Sequence, residues 1–169
     1  CALPIFAITG LALANPRGKH IISAKTEHEA VLETLDFLER VHGFEISWLN
    51  VDSQGNINLG DLERALRPDT SLVTLMLANN EIGTTHPLPG IIEAAHAVGA
   101  LVHTDAVQAA GWLDCNVAAL GVQALSLSGH KFGAPKGSGV LYLSDRIAPE
   151  PVIHGGGQEF ERRSGTQNV

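Results

Sequence analysis

Two rhythms of apolar and polar positions run along this chain. Ile21 and Ile22, between His20 and Ser23, predict a short buried strand. Thr26-Glu27-His28-Glu29 has the form of a capping box, with Thr26 at the N-cap and Glu29 three positions on. Val31, Leu35 and Leu38 then recur on one stripe, which predicts a helix to about His42 with Gly43 as its stop. Phe44, Ile46 and Trp48 alternate as in a strand. After a turn at Asp52–Asn56, Asn58 predicts the cap of a short helix through Leu66, closed by Pro68. Ser71–Leu77 is nearly all apolar, as a parallel strand covered on both faces should be. A helix over Pro89–Val98, with Gly99 at its end, leads to a strand over Ala100–Thr104 that stops at Asp105. A short helix over Asn116–Leu120 and strands over Ala124–Ser128 and Val140–Leu143 follow. His154–Glu159 and Arg162–Thr166 are expected as exposed loop. This alternation of strand and helix implies an α/β fold, a mainly parallel sheet flanked by helices on both faces.

Composition narrows the classes. The 169 residues are 44% hydrophobic and 17% charged, which suits one domain with a real core, aliphatic because aromatics make up only 5%. The net charge of -7 and the lack of any basic tract argue against a nucleic-acid partner. No apolar run is long enough to span a bilayer, so no membrane role is expected. Two cysteines, Cys1 and Cys115, make no disulfide framework, and a reducing cytoplasm is the expected location. Cys1–Ile8 lacks the positive start of a signal peptide. The opening on Cys1 and the close at Val169, with no final helix, suggest a piece of a longer protein.

In doubly wound sheets, ligands bind beyond the carboxyl ends of the strands. That rule gathers Asn79-Asn80, Asp105–Gln108 and Ser128–Lys131 at one edge. Lys131 supplies an amine that can trap an aldehyde. Asp105 supplies a carboxylate at a strand end, Asn80 and Gln108 supply amides, and His28 supplies a flat ring at a helix start. Ser128 and His130 are donors suited to a phosphate. A trapping lysine, an acid for a pyridine nitrogen and phosphate donors together are what pyridoxal phosphate requires. No metal site is expected, since the eight histidines form no ligand-like spacing with each other or with cysteine. Gly133–Gly139 lacks the order of a nucleotide phosphate loop.

The segments Thr26-Glu27-His28, Asn79-Asn80-Glu81-Ile82-Gly83, His103–Gln108, Ser128-Gly129-His130-Lys131, His154-Gly155-Gly156-Gly157 and Arg163-Ser164-Gly165-Thr166 occur in one order. In that order the chain resembles the group I cysteine desulfurases of the NifS/IscS type, which are class V, fold-type I pyridoxal-phosphate enzymes. The resemblance covers roughly residues 10 to 169. It implies a truncated large domain over 1–169, with residues 1–9 outside the match and the C-terminal small domain absent. It implies Lys131 as the residue that carries the cofactor and shuttles protons, and Asp105 as the partner of the ring nitrogen. His28 would stack on the ring and assist proton transfer. Asn80 and Gln108 would lie at the phenolic oxygen, and Ser128 and His130 at the phosphate. Thr166 would reach the phosphate of a neighbouring subunit, which implies a homodimer. The substrate implied is L-cysteine, and the products are L-alanine and a persulfide sulfur for a sulfur-acceptor or scaffold protein in iron-sulfur cluster assembly or tRNA thiolation. The sulfur-accepting cysteine of the family matches neither Cys1 nor Cys115, and residues 1–9 do not supply its Gly-x-Thr-Glu phosphate loop. Three readings therefore stand: a cysteine desulfurase fragment, another class V enzyme such as a selenocysteine lyase or aminotransferase, and an inactive fragment.

Overall fold

The computed structural model of the chain describes residues 2–15 and 17–166. Its sheet has six strands: β1 (His20–Ala24), β2 (Glu45–Leu49), β3 (Thr70–Thr74), β4 (Leu101–Asp105), β5 (Ala124–Ser128) and β6 (Gly139–Leu143). Their order is β2-β1-β3-β4-β5-β6, parallel throughout except for β6, which pairs antiparallel with β5 at the edge. Helices α1 (Leu3–Ala14) and α2 (Glu29–His42) cover one face; α3 (Leu59–Ala65) and α4 (Leu88–Ala97) cover the other. A one-turn helix, α5 (Val117–Leu120), precedes β5.

Strand side chains alternate between the faces. Ile21, Leu72 and Ala124 pack under α1 and α2, whereas Ile22, Val73, Val102 and Leu125 pack under α3 and α4. The predicted stripe of α2 is the buried one, Val31, Leu35 and Leu38. Gly43 ends that helix at φ +68°, a left-handed turn that glycine adopts without strain, and its N–H reaches the Glu39 carbonyl.

Three expectations need correction. The N-cap of α2 is His28, whose Nδ1 accepts from the Ala30 amide at 3.0 Å, so Thr26 and Glu29 form no capping box. Residues 3–14, for which the pattern predicts no element, form an almost wholly apolar helix with Ala7, Ile8 and Leu11 buried. Such a helix has little polar face because most of it is covered: the sheet lies beneath it, α2 beside it, and Glu150 donates its amide to the Gly10 carbonyl at 3.0 Å, while Ile5 and Leu13 near its ends stay exposed. The third strand ends at Thr74, not Leu77. Beyond it Leu75 and Leu77 still donate to β4 carbonyls, at His103 and Asp105, but the Met76 amide turns to the Glu27 carboxylate at 2.8 Å and leaves the ladder with β1.

Along the α1–α2 face each strand passes from apolar to polar as it nears its carboxyl end. Ile21 is followed two residues later by Ser23, Leu72 by Thr74, Leu101 by His103 and Asp105, and Ala124 by Ser126 and Ser128. His103 joins these rows: its Nδ1 lies 2.8 Å from Thr74 Oγ1 and its Nε2 lies 2.9 Å from Ser126 Oγ. Full burial pushes this imidazole down to about 3, so it stays neutral, with one nitrogen accepting and the other donating. Replacing His103 by Leu strands two buried hydroxyls, and the expected cost is about 2–4 kcal/mol, read as a lowered midpoint in chemical denaturation. The wild-type protein should also lose stability through His103 as pH falls from 6.5 towards 3, since only the unfolded histidine takes up the proton there; the Leu variant should lack that part of the slope.

Candidate active site

The crevice at the carboxyl edge of the sheet is built from four loops that leave β1, β3, β4 and β5. The first carries Thr26, Glu27 and His28 into α2. Glu27 is buried at 5% exposure, and its Oε1 accepts from the Met76 amide at 2.8 Å. Burial, opposed by that hydrogen bond and helped by the charge of Asp105, pushes its carboxyl up to about 8. His28 is exposed, and with Nδ1 occupied by the helix cap its Nε2 is the nitrogen left for exchange.

The loop after β3 is organised by Asn79, not Asn80. The Asn79 Oδ1 accepts from the Glu81 and Ile82 amides at 2.9 and 3.0 Å, and its Nδ2 donates to the Thr26 carbonyl at 2.9 Å. The first two loops are thus sewn together by one amide side chain. Asn80 is exposed and its side chain bonds to no described residue.

Asp105 ends β4 and is 7% exposed. Its Oδ1 accepts from the Val107 amide at 2.9 Å, and its Oδ2 accepts from no described residue. Burial raises its proton affinity, while the Val107 N–H and the nearby His28 hold it down. Asp105 and His28 therefore share one electrostatic environment. Gln108, half-buried on the following turn, makes no side-chain hydrogen bond among the described residues.

Strand β5 runs beside β4, with Ser126 opposite Asp105, and ends at Ser128. A single 3₁₀ turn, Gly129–Lys131, follows. Ser128 Oγ and His130 Nδ1 lie 2.8 Å apart. Gly129 admits no side chain: a Cβ there would run into Ser138 Oγ and meet Ala134 Cβ at 3.0 Å. Lys131 is exposed rather than buried at a strand end, and its amine bonds to no described residue. An open cavity of about 1040 Å³ beside this turn is lined by Phe6, Ser128, His130, Ser138, Arg163 and Thr166 among others. Thr166 thus meets Ser128 and His130 within one chain. Asp105, His28 and Lys131 do not line that cavity. The structure therefore forms two groupings, His28 with Asp105 and Ser128 with His130 and Thr166, and adjacent parallel strands link them.

The sequence motifs contain Glu27 and Asn79 but assign neither a role. An asparagine followed four residues later by Gly83 is a turn-forming signal that pointed to Asn79; nothing in the spacing shows that Glu27 is buried. Cys115 is half-buried, and burial, with Asp114 beside it, raises its thiol above the ordinary value, the reverse of an activated cysteine. Cys1 lies outside the described residues. Among the described residues no cluster of histidine, cysteine or carboxylate has metal-binding geometry, and no helix is long and apolar enough to cross a membrane.

The donor set suits pyridoxal phosphate. Asp105, a mostly buried residue, offers a carboxylate oxygen with no partner among the described residues, the chemistry that receives a protonated ring nitrogen, and in the loop from β1 two buried polar atoms, Thr26 Oγ1 and Glu27 Oε2, also lack partners.

Comparison with known proteins agrees with this geometry. The family model described as aminotransferase class-V matches residues 5–168. The chain is 50% identical over 164 residues to the cysteine desulfurase IscS of Dictyoglomus turgidum, covering 96% of this chain and 41% of that protein. The chain thus spans about two fifths of the length of this curated relative. Among solved structures, a NifS-like protein superposes with a TM-score of 0.93 at 40% identity, over 98% of this chain and 46% of the other. The structure of SspA in complex with cysteine superposes with a TM-score of 0.91 at 41% identity, over 98% and 48%.

Replacing Asn79 by Ala should leave the sheet intact and free the 79–85 loop. Hydrogen exchange at the Glu81 and Ile82 amides should rise by about fivefold, since each loses a hydrogen bond of about 1 kcal/mol.

Proposed function

The chain belongs to the class-V aminotransferase family, and on that premise we propose that the protein it comes from is a pyridoxal-phosphate-dependent cysteine desulfurase. The observation that carries this reading is Asp105: a buried carboxylate at the end of a parallel strand, with one oxygen open, beside His28 and one strand from the Ser128–Lys131 turn. The similarity to a protein named cysteine desulfurase, and to one whose structure is titled as a complex with cysteine, supports L-cysteine as the substrate.

Bound in this crevice, pyridoxal phosphate would supply an electron sink that acidifies the α-C–H of an amino acid attached through its amine. The chain's own residues then divide the work. The Lys131 amine, on a short turn with no partner among the described residues, would hold the group covalently and would handle the α-proton at Nζ. Asp105 holds one negative charge against the ring nitrogen and so keeps a proton there. His28 presents a ring fixed by its own cap, with Nε2 available for proton exchange. Ser128 and His130, already 2.8 Å apart, are the pair for phosphate oxygens, while Asn80 and Gln108 sit on the neighbouring loops with amides uncommitted.

The net reaction is L-cysteine plus a protein thiol giving L-alanine plus a protein persulfide: the C–S bond breaks, an S–S bond forms, and the carbon gains the proton. The accepting thiol is not Cys115, whose environment disfavours the thiolate. We place it elsewhere in the full-length protein, with a sulfur-acceptor or scaffold protein as the next partner. A cytoplasmic location suits a reaction that needs a free thiol. A homodimer belongs to the same reading, with Thr166 shared at the phosphate site.

In the full-length protein, borohydride reduction with pyridoxal phosphate should fix the cofactor on Lys131, located by peptide mapping, and Lys131→Ala should abolish the adduct. An adduct on Lys136 or elsewhere would overturn the reading. Asp105→Asn should lower kcat/KM for sulfide release from cysteine by about 10²–10⁴-fold while leaving the adduct in place.

A further inference from the structure

Glu27 is unexplained by anything above. Its side chain is 5% exposed, yet it is acidic, and only one of its two oxygens has a partner. It sits where the loop from β1 meets the end of β3: its Oε1 accepts from the Met76 amide at 2.8 Å, and the next amide, that of Leu77, donates to the Asp105 carbonyl at 2.9 Å, so the two acids flank one turn of chain and the Asp105 charge acts on Glu27. Two carboxylates in one dry crevice do not both ionise, and the better-solvated one keeps the charge. Their surroundings set the order. Asp105 has a backbone N–H donor and the imidazole of His28 beside it. Glu27 has a backbone donor, deeper burial and, of the ionisable groups, only Asp105 acting on it. The repulsion between the two carboxyls is mutual, and it falls on Glu27, the more deeply buried, whose Oε2 has no partner.

We propose that Glu27 is a positioning residue that acts through Asp105: it stands beside that carboxylate as a neutral, hydrogen-bonding acid, so that one negative charge and not two meets the ring nitrogen of the bound cofactor. This rests on the pyridoxal-phosphate reading of the site. Glu27 touches neither substrate nor cofactor. Its Oε1 fixes the Met76 amide at the point where β3 leaves the ladder, and its proton on Oε2 limits the charge behind Asp105. Ionised Glu27 would deepen the negative potential there and tighten the hold on the ring proton, so the cofactor's spectrum reports on it.

The test uses the full-length protein and Glu27→Gln, which keeps the acceptor for Met76 and cannot ionise. The visible absorbance of the bound cofactor is followed across alkaline pH. Wild type should show a step near pH 8 that the Gln variant lacks, while kcat/KM at pH 7 stays within about fivefold of wild type. A step that persists in the variant, or a larger loss at pH 7, overturns the proposal. The cofactor-free protein gives an independent reading. A carboxyl raised on folding stabilises fully below its unfolded value of 4.5, and that stability is lost as pH rises through the folded value of about 8. The stability of wild type relative to Glu27→Gln should therefore fall across that window, and a difference that does not change with pH overturns the proposal. If wild type binds no cofactor at Lys131, the functional reading fails, and the cofactor-free comparison still decides whether Glu27 holds its proton.

Discussion

His103 bridges a hydroxyl on β3 and a hydroxyl on β5 from the middle of β4, at 2.8 and 2.9 Å. Backbone ladders alone tolerate slippage, but a side chain that needs a partner on each neighbour accepts one register. The pairing of Thr74 with His103 and of Asp105 with Ser126 is that register. A shift by one residue would turn Asp105 to the α3–α4 face, among Leu75, Val102 and Leu125. The neutrality of His103 is part of the device: a charged imidazole at full burial would have two donors and would fit only two acceptors. A site that depends on Asp105 and on the Ser128–Lys131 turn standing at one level depends first on this link.

The polar row also limits where a ligand can lie. On the α1–α2 face the lower half of each strand is aliphatic and is sealed by Ile8, Leu11, Val31 and Leu35. The upper half holds Ser23, Thr74, His103, Asp105, Ser126 and Ser128, all buried. Most of these satisfy one another, as buried polar groups must. Ser23 donates to the Thr74 carbonyl at 2.9 Å and His103 joins Thr74 to Ser126, so the row forms a closed floor rather than a set of free donors. Among the described residues its outer margin is left open, at Asp105 Oδ2 and, in the loop from β1, at Thr26 Oγ1 and Glu27 Oε2. The chemistry is confined to that margin because everything beneath it is already spent.

Much of this was legible before any coordinates. The stripe of α2, Gly43 as its stop, β5 over Ala124–Ser128 and the gathering of loops at one sheet edge all follow from local rules, because periodicity and turn residues act over a few positions. The losses share a cause: they depend on what packs against a residue from far along the chain. Residues 3–14 carry no stripe: Pro4 and Ala7–Ala12 are buried by the sheet, α2 and the 149–150 segment, the exposed Ile5 and Leu13 are apolar too, and a helix without a polar face gives no periodic signal. Thr26 looks like a cap, but its carbonyl is claimed by Asn79, 53 residues away, and the chain begins its helix two positions later. Adjacent asparagines are indistinguishable by type, and only the fold shows that Asn79 is the one that turns inward to tie the loops. Nothing in the local pattern marks Glu27 as buried; its partner, the Met76 amide, lies 49 residues away.

The exposure of Lys131 shapes the physical argument for its role. An amine buried at a strand end would be activated by desolvation. This one is instead placed by the backbone: Gly129 accepts from Phe132 and Ala134 at 3.1 and 3.0 Å and donates to the Ser138 carbonyl at 3.0 Å, so the turn that carries Lys131 is clamped at its root. Gly129 is tight against Ser138 and Ala134, while the lysine stem two residues on is free. A group that must first hold a ligand and then withdraw to handle a proton needs a fixed origin and a mobile end. A four-carbon stem on a clamped turn supplies both, while the charge that faces a bound ring is supplied by other residues. That places the electrostatic demand on Asp105, and behind it on the protonation of Glu27.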